Sequence, residues 1–314
     1  GASDSIWEFS ELPYNEDNSC RLLTEILEDE GFIINRGVAD IPTAFTANFG
    51  TGKPVFGFLG EYDALDKLSQ AAGCTERNPV VEGKPGHGCG HNVLGAGSLG
   101  AALVIKEYLA ANKLNGTVIY FGCPAEEGAG AKQFMARAGL FDDVDFVYTW
   151  HPAAINQVQS SRSVAIMGAN FKFKGLSAHA GGSPHLGRSA LDAAELMSVG
   201  VNYLREHMID QARIHYAYAD AGGVSPNVVQ DRALIKYEVR SPKVTQVKEL
   251  FERVVKVAEG AALMTETEVD YEITMAFSDY IPNAALAEIA DEAFKEAGAP
   301  KWDEEEYKLA KAYL

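Results

Sequence analysis

Two histidines and a cysteine fall within five positions of the stretch PGHGCGHNVLGAG, residues 85–97. Thiolate sulfur and imidazole nitrogen are donors that zinc-like cations accept, and Cys89-Gly90-His91 is a short chelating unit. Further candidates stand where apolar runs stop: Asp63, the Glu126-Glu127 pair and His151. Carboxylates there can act as ligands or as acids and bases. Each residue also has a structural reading. A lone strand-end histidine can be a half-buried structural residue, and a Glu pair can be solvated or serve the following helix turn. Cys89 can be a small buried hydrophobe. Taken singly, each reads as structural; their joint placement at successive strand ends favours a metal site.

The rival chemistry is nucleotide binding. Gly95-Ala96-Gly97-Ser98-Leu99-Gly100 matches the dinucleotide fingerprint letter for letter. That fingerprint needs a strand directly before it, so that its glycines turn under a pyrophosphate. The preceding Pro85-Gly86-His87-Gly88-Cys89 does not read as a strand, and no ribose-binding acid ends a strand at the right distance. The glycines are therefore expected inside a helix, where they allow close packing on a sheet. No G-x-S-x-G elbow appears, and Gly128-Ala129-Gly130-Ala131-Lys132 lacks the P-loop pattern.

The elements that must position these residues follow from periodicity. Leu22, Leu23, Ile26 and Leu27 mark an amphipathic helix ending at Gly31. Strands are expected at 44–49 and 54–59, the second running into Gly60-Glu61-Tyr62-Asp63. A helix from Asn92 to about Ala111 presents Gly97, Ala101, Val104, Ile105 and Tyr108 on one face. A strand at 117–122 leads into Pro124-Ala125-Glu126-Glu127, a short helix closes at Gly139, and a strand at 145–150 leads into His151. Apolar strands separated by helices predict a mainly parallel α/β sheet. In such sheets functional groups gather beyond the carboxyl ends of the strands.

The next segment reads differently. Strand 165–174, helix 189–208, strands 213–219 and 228–240, helix 243–264 and an alternating strand at 266–277 give the order βαββαβ, which is ferredoxin-like. A further helix opens after Pro282-Asn283, and a Glu- and Lys-rich helical stretch runs to Leu314. The expected domains are 1–160 with 278–314, an α/β catalytic domain, and 161–277, an inserted lid and dimerisation domain.

Composition bounds the partners. A formal charge of −17 disfavours nucleic acid and anionic membranes, because phosphate binding needs clustered Lys and Arg. It leaves an anionic small molecule open, since one Arg or metal can override the global sign. The four cysteines are too few and scattered for a disulfide framework, no apolar run is expected to span a bilayer, and a cytoplasmic location is the default.

The ordered set GEYDAL, GHGCGHN, CPAEEG, TWHP, GLSAHAGGSPHLGRSALDA and GGVSPNVVQD resembles the aminoacylase and carboxypeptidase-type metallopeptidase family. The likeness runs from about Ile6 to the chain end. It is nearest to the amidohydrolase branch that acts on aminobenzoyl-glutamate and on amino-acid conjugates. The resemblance implies a catalytic α/β domain with an inserted ferredoxin-like lid that usually dimerises, or that pairs with a related second subunit.

The resemblance also implies two divalent cations, Zn or Mn, held by Cys89, His91, Glu127 and His151. Glu126 resembles the general base that deprotonates the attacking water, and Asp63 an acidic residue that orients a ligand. His179 resembles the lid histidine that stabilises the carbonyl oxygen, often in the partner subunit's site. Asn227 and Arg240 resemble residues holding the substrate's amide and carboxylate. His185 and His87 are expected to be structural. The implied reaction is hydrolysis of an N-acyl amino acid, with a dipeptidase or a non-catalytic subunit as alternatives. Two departures stand out: Asn92 follows His91 where related sequences carry Asp, and no histidine follows Asp279 although the family takes a last ligand there. A chain lacking the last strands of its catalytic domain, and binding metal poorly, is the expectation.

Overall fold

The computed structural model describes residues 1–313. The chain divides into two compact units, Gly1–Asn156 with Gly298–Leu314, and Gln157–Ala297.

The first unit contains α1 (Ala2–Phe9), α2 (Asp17–Asp29), β1 (Ile33–Arg36), β2 (Phe45–Thr51), β3 (Val55–Gly60), α3 (His91–Asn112), β4 (Gly116–Gly122), α4 (Ala131–Arg137) and β5 (Phe146–Tyr148). Its sheet runs β1-β2-β4-β3-β5. The β4, β3 and β5 strands are mutually parallel; β2 pairs antiparallel with β4 and with β1, so four of the five strands point one way. The short β1 and α1 carry no clear periodic signal in the sequence. Side chains alternate across the sheet as a pleated strand requires. Val118 and Tyr120 pack with Leu23 and Leu27 of α2 and Leu99, Ala102 and Leu109 of α3. Phe121 packs with Ala131 and Met135 of α4, together with Ile41 and Ala44. Burial on both faces accounts for the near-continuous apolar runs of β3 and β4.

Helix α3 departs from expectation in two ways. Its buried face carries Leu94, Ser98, Leu99, Ala102 and Leu109, while Val104 and Tyr108 are 66% and 58% exposed. It is also, by length and composition, long and apolar enough to cross a membrane, contrary to the expectation that no such run exists. The helix packs on β3 and β4, as a core helix does. Two fingerprint glycines serve that packing. A Cβ at Gly95 would lie 2.6 Å from the Glu61 carbonyl oxygen, and one at Gly97 would lie 2.6 Å from the Trp150 ring. Gly100 has nothing within 4 Å and makes no such contact.

The second unit contains β6 (Ala165–Lys174), α5 (Ala190–Leu204), β7 (Arg213–Asp220), β8 (Arg232–Ser241), α6 (Val244–Thr265), β9 (Glu268–Phe277) and α7 (Ala284–Ala297). The four-stranded sheet is antiparallel in the order β7-β8-β6-β9, the ferredoxin-like arrangement. Phe171, Phe173, Ile235 and Val239 face Met197 and Val201 of α5 and Leu250 and Val254 of α6 in one core. The last helix, α8 (Glu304–Ala312), is grouped with the first unit; among the described residues neither α7 nor α8 buries a side chain.

Candidate metal centre

The parallel strands deliver three chain segments to one sheet edge. Gly60 and Gly122, the last residues of β3 and β4, are register partners, and Phe58 pairs with Tyr148 at the end of β5. Beyond these ends stand Glu61 and Asp63, then Glu126 and Glu127, then His151. The long connection from β3 to α3 folds back on itself. Leu65 and Gly86 exchange two backbone hydrogen bonds of 3.0 Å, which lays Asp63 alongside the start of α3. Gly90 adopts φ 80° as the N-cap of that helix, so His91 is its first residue and points into the site.

His91 is fully buried and is the hub. Its Nδ1 lies 2.9 Å from Asp63 Oδ1, and its Nε2 lies 3.1 Å from Glu61 Oε2 and 3.9 Å from Glu126 Oε2. Burial alone would lower its pKa, but the Asp63 hydrogen bond and the charges of Asp63, Glu61 and Glu126 outweigh burial and raise it. Asp63 uses its other oxygen to accept the Glu127 N–H at 2.8 Å. One carboxylate thus orients the imidazole and pins the Glu pair. Cys89 Sγ sits 3.3 Å from His151 Nε2, whose Nδ1 lies 2.8 Å from the Pro152 carbonyl. The Cys89 thiol is pushed up to about 12, first by burial and then by the neighbouring Glu127 carboxylate. Burial raises Glu126 as well, with Glu61 adding to it and Lys132 and His91 opposing.

These donors form two overlapping groups, Cys89-His91-His151 and Glu61-His91-Glu126, within each of which the donor atoms lie within 4.8 Å of one another. His91 Nε2, Glu61 Oε2 and Glu127 Oε1 are buried without a hydrogen-bond partner. With Nδ1–H given to Asp63, Nε2 turns its lone pair toward a carboxylate oxygen. Two acceptors face each other there, an arrangement that a cation relieves and protein groups do not. The set of sulfur, nitrogen and carboxylate donors fits a zinc-like divalent ion, which would also draw Cys89 to the thiolate.

The sequence singles out Asp63, Cys89, His91, Glu126, Glu127 and His151, and the fold brings all six together. Sequence reasoning misses Glu61. It occupies the first position past β3, two residues before Asp63, and its Oε1 takes a 2.6 Å ion pair from Lys132. Its place at a strand end was the available signal. His87 Nε2 lies 2.9 Å from the Ile6 carbonyl, and its ring stacks near Trp7, a structural role. Asn92 binds Ser3 Oγ at 3.1 Å and so ties α3 to α1.

In the second unit His179 and Asn227 are neighbours because their loops pair. Ala180 N–H donates to Asn227 O, and Val229 N–H to Ala178 O. His179 Nδ1 accepts the Gly182 N–H at 2.8 Å, leaving the ring proton on Nε2, 3.2 Å from the Asn227 amide. Arg240 lies on β8 and is already engaged, with Glu238 at 3.0 Å and His215 at 3.2 Å.

The family model described as Peptidase family M20/M25/M40 matches residues 57–308. The chain belongs to this family. It is 49% identical over 309 residues to one of the two kinds of subunit of p-aminobenzoyl-glutamate hydrolase of Escherichia coli K12, covering 98% of this chain and 64% of that protein. It is 31% identical over 309 residues to a Xaa-Arg dipeptidase of Mus musculus, covering 94% of this chain and 67% of the relative. The M20-family chain therefore spans about two thirds of the length of these relatives. Its fold is similar to that of a dinuclear metal binding M20 peptidase of Bacillus subtilis, with TM-score 0.67, 20% identity, and coverage of 99% of this chain and 84% of the other.

Proposed function

We propose that this M20 chain hydrolyses the amide bond of an N-acyl amino acid, with an aminobenzoyl-glutamate-like amide as substrate. The observation that carries the proposal is the convergence of buried, unpartnered donor atoms on His91, beside a half-exposed carboxylate with a raised pKa. Cys89, His91, Glu127 and His151 would hold two divalent ions, Zn or Mn. When bound, such ions polarise the scissile carbonyl and acidify a water.

The chain's own groups do the rest. Asp63 keeps the His91 proton on Nδ1 and so presents Nε2 as a donor atom. Glu126 takes a proton from the attacking water as its oxygen bonds to the carbonyl carbon. It then delivers that proton to the amine nitrogen as the C–N bond breaks. Its raised pKa suits both halves of that transfer. The Nε2–H of His179 would donate to the carbonyl oxygen as negative charge develops there. Asn227 would hold the substrate amide, and Arg240 would grip a free carboxylate, as its fork geometry allows in an acidic protein. The likeness to one component of a hydrolase with two kinds of subunit supports a related second subunit as partner, beside a homodimer through the second unit.

A dipeptidase is the second reading, favoured by the likeness to the Xaa-Arg dipeptidase. Both readings are tested by assaying the chain with added Zn or Mn against aminobenzoyl-glutamate, other acyl-amino acids and dipeptides, alongside elemental analysis. Cation uptake with turnover that chelation abolishes is the expected result. Uptake without turnover on any substrate would favour a non-catalytic subunit, and absence of both would reject the metal-centre reading.

A further inference from the structure

Glu16 is a fully buried carboxylate that no part of the mechanism uses. It lies just ahead of α2, yet its side chain reaches across to the turn after β4. Its Oε1 accepts the Ala125 N–H at 2.7 Å, and its Oε2 accepts the Thr43 hydroxyl at 3.0 Å. Ala125 is itself buried and adopts φ 58°, a left-handed conformation that disfavours a residue with a Cβ. Its carbonyl oxygen accepts from both Gly128 N–H and Gly130 N–H, so Glu126 and Glu127 are the central residues of a tight turn. The same N-terminal segment touches this turn again, because a Cβ at Gly128 would lie 3.0 Å from Pro13. Downstream, Asp63 holds the Glu127 N–H. The backbone N–H groups of the residues on either side of Asp63's and Glu16's reach, Glu127 and Ala125, are therefore each gripped by a buried carboxylate, with Glu126 between them.

We propose that Glu16 is a positioning residue for Glu126: its carboxylate holds residue 125 in the left-handed conformation that aims the Glu126 side chain at His91. The consequence for turnover rests on the reading of Glu126 as the base; the consequence for the turn does not. A hydrogen bond to a charged acceptor is strong enough to hold one strained residue against relaxation. Without it, Ala125 can leave the left-handed region and swing Glu126 out of line. Misplacement of a reacting group by about 1 Å costs on the order of 100-fold in rate.

The test uses the full chain carrying Glu16→Ala, Glu16→Gln, Glu16→Asp, and Glu16→Ala combined with Ala125→Gly. Hydrogen–deuterium exchange of the 121–130 segment is read in the cation-free protein, and kcat and KM with added Mn. Glu16→Ala should speed exchange of that segment, with exchange in β2 and β3 unchanged. It should also lower kcat by about 10- to 100-fold, with KM and Mn content held within about twofold. Glu16→Gln keeps an acceptor oxygen and should retain most of both properties. Ala125→Gly removes the Cβ penalty and should recover several-fold of the kcat lost in Glu16→Ala. Should Glu16→Ala fail to fold, Glu16→Asp, which withdraws the carboxylate by one methylene, should reproduce its losses. Unchanged exchange, equal losses in the Ala and Gln variants, or no recovery with Gly at 125 would overturn the proposal. If the unsubstituted chain shows no turnover, the base assignment fails, and the exchange result alone then decides the role of Glu16.

Discussion

In the first unit the candidate ligands are buried with atoms left unpaired, whereas in the second unit His179, Asn227 and Arg240 are exposed or half-buried and each has a partner. An unsatisfied buried donor or acceptor costs about 1–3 kcal/mol. A fold that keeps three such atoms around one imidazole is arranged for something the chain does not itself supply. The second cluster carries no comparable strain. His179 and Asn227 are organised by loop pairing, and Arg240 must leave Glu238 to hold a substrate carboxylate. One region is built to bind an ion before substrate arrives; the other is built to be rearranged by substrate.

The contrast is broken most severely at Glu126. Glu126→Gln is expected to lower kcat by about 10²- to 10⁴-fold while Mn or Zn content persists. Unchanged turnover with normal metal content would remove Glu126 as the base. In the second unit, Arg240→Ala should raise KM by about 10- to 100-fold for substrates with a free carboxylate and leave amidated ones nearly unaffected. Glu238→Gln sharpens this comparison, because freeing Arg240 from its neighbour should lower KM for the same acids. Equal effects on amidated substrates would count against the assigned contact.

Smaller effects read out the scaffold. Burial, opposed by its hydrogen bonds, raises the Glu16 pKa from 4.5 to about 7. A carboxyl whose folded pKa lies above its unfolded value favours the folded state most below the unfolded pKa. That contribution is lost as pH rises through the folded value. Glu16 should therefore contribute less to stability at pH 8 than at pH 4.5, by on the order of 2–3 kcal/mol. Thermal melts across this range should show the gap between Glu16→Gln and the unsubstituted chain shifting in favour of Gln as pH rises. A gap independent of pH would mean that Glu16 titrates normally. Smallest is the glycine contrast. Gly95→Ala presses on the Glu61 carbonyl and should destabilise by about 1–3 kcal/mol. Gly100→Ala meets open space and should stabilise by about 0.5–1 kcal/mol. Melting shifts of the same sign would contradict the packing account of this motif.

Much of the fold is legible in the sequence because its signals are local. The strand at 165–174 has the bounds its apolar pattern predicts, and the βαββαβ order follows from where apolar periods change. The buried face of α3 is not legible. The helix is apolar nearly all round, so periodicity could not choose among its sides. The chosen side is the one where Gly95 lets the backbone approach Glu61. Glu61 and Glu16 escape sequence reasoning for a related cause: a carboxylate in a sequence carries no sign of whether it will face solvent or an imidazole.

By itself the sequence determined the donor types, their positions at strand ends and the parallel core that sends those ends to one edge. Chain connectivity and hydrophobic pattern suffice for that. Only the tertiary structure decided which atoms remain unpaired, that Asp63 serves both His91 and the Glu127 backbone, and that Glu16 reaches from the N-terminal segment to Ala125. Those facts depend on contacts between residues up to 109 positions apart, and their energetics arise from burial, which exists only once the chain has folded.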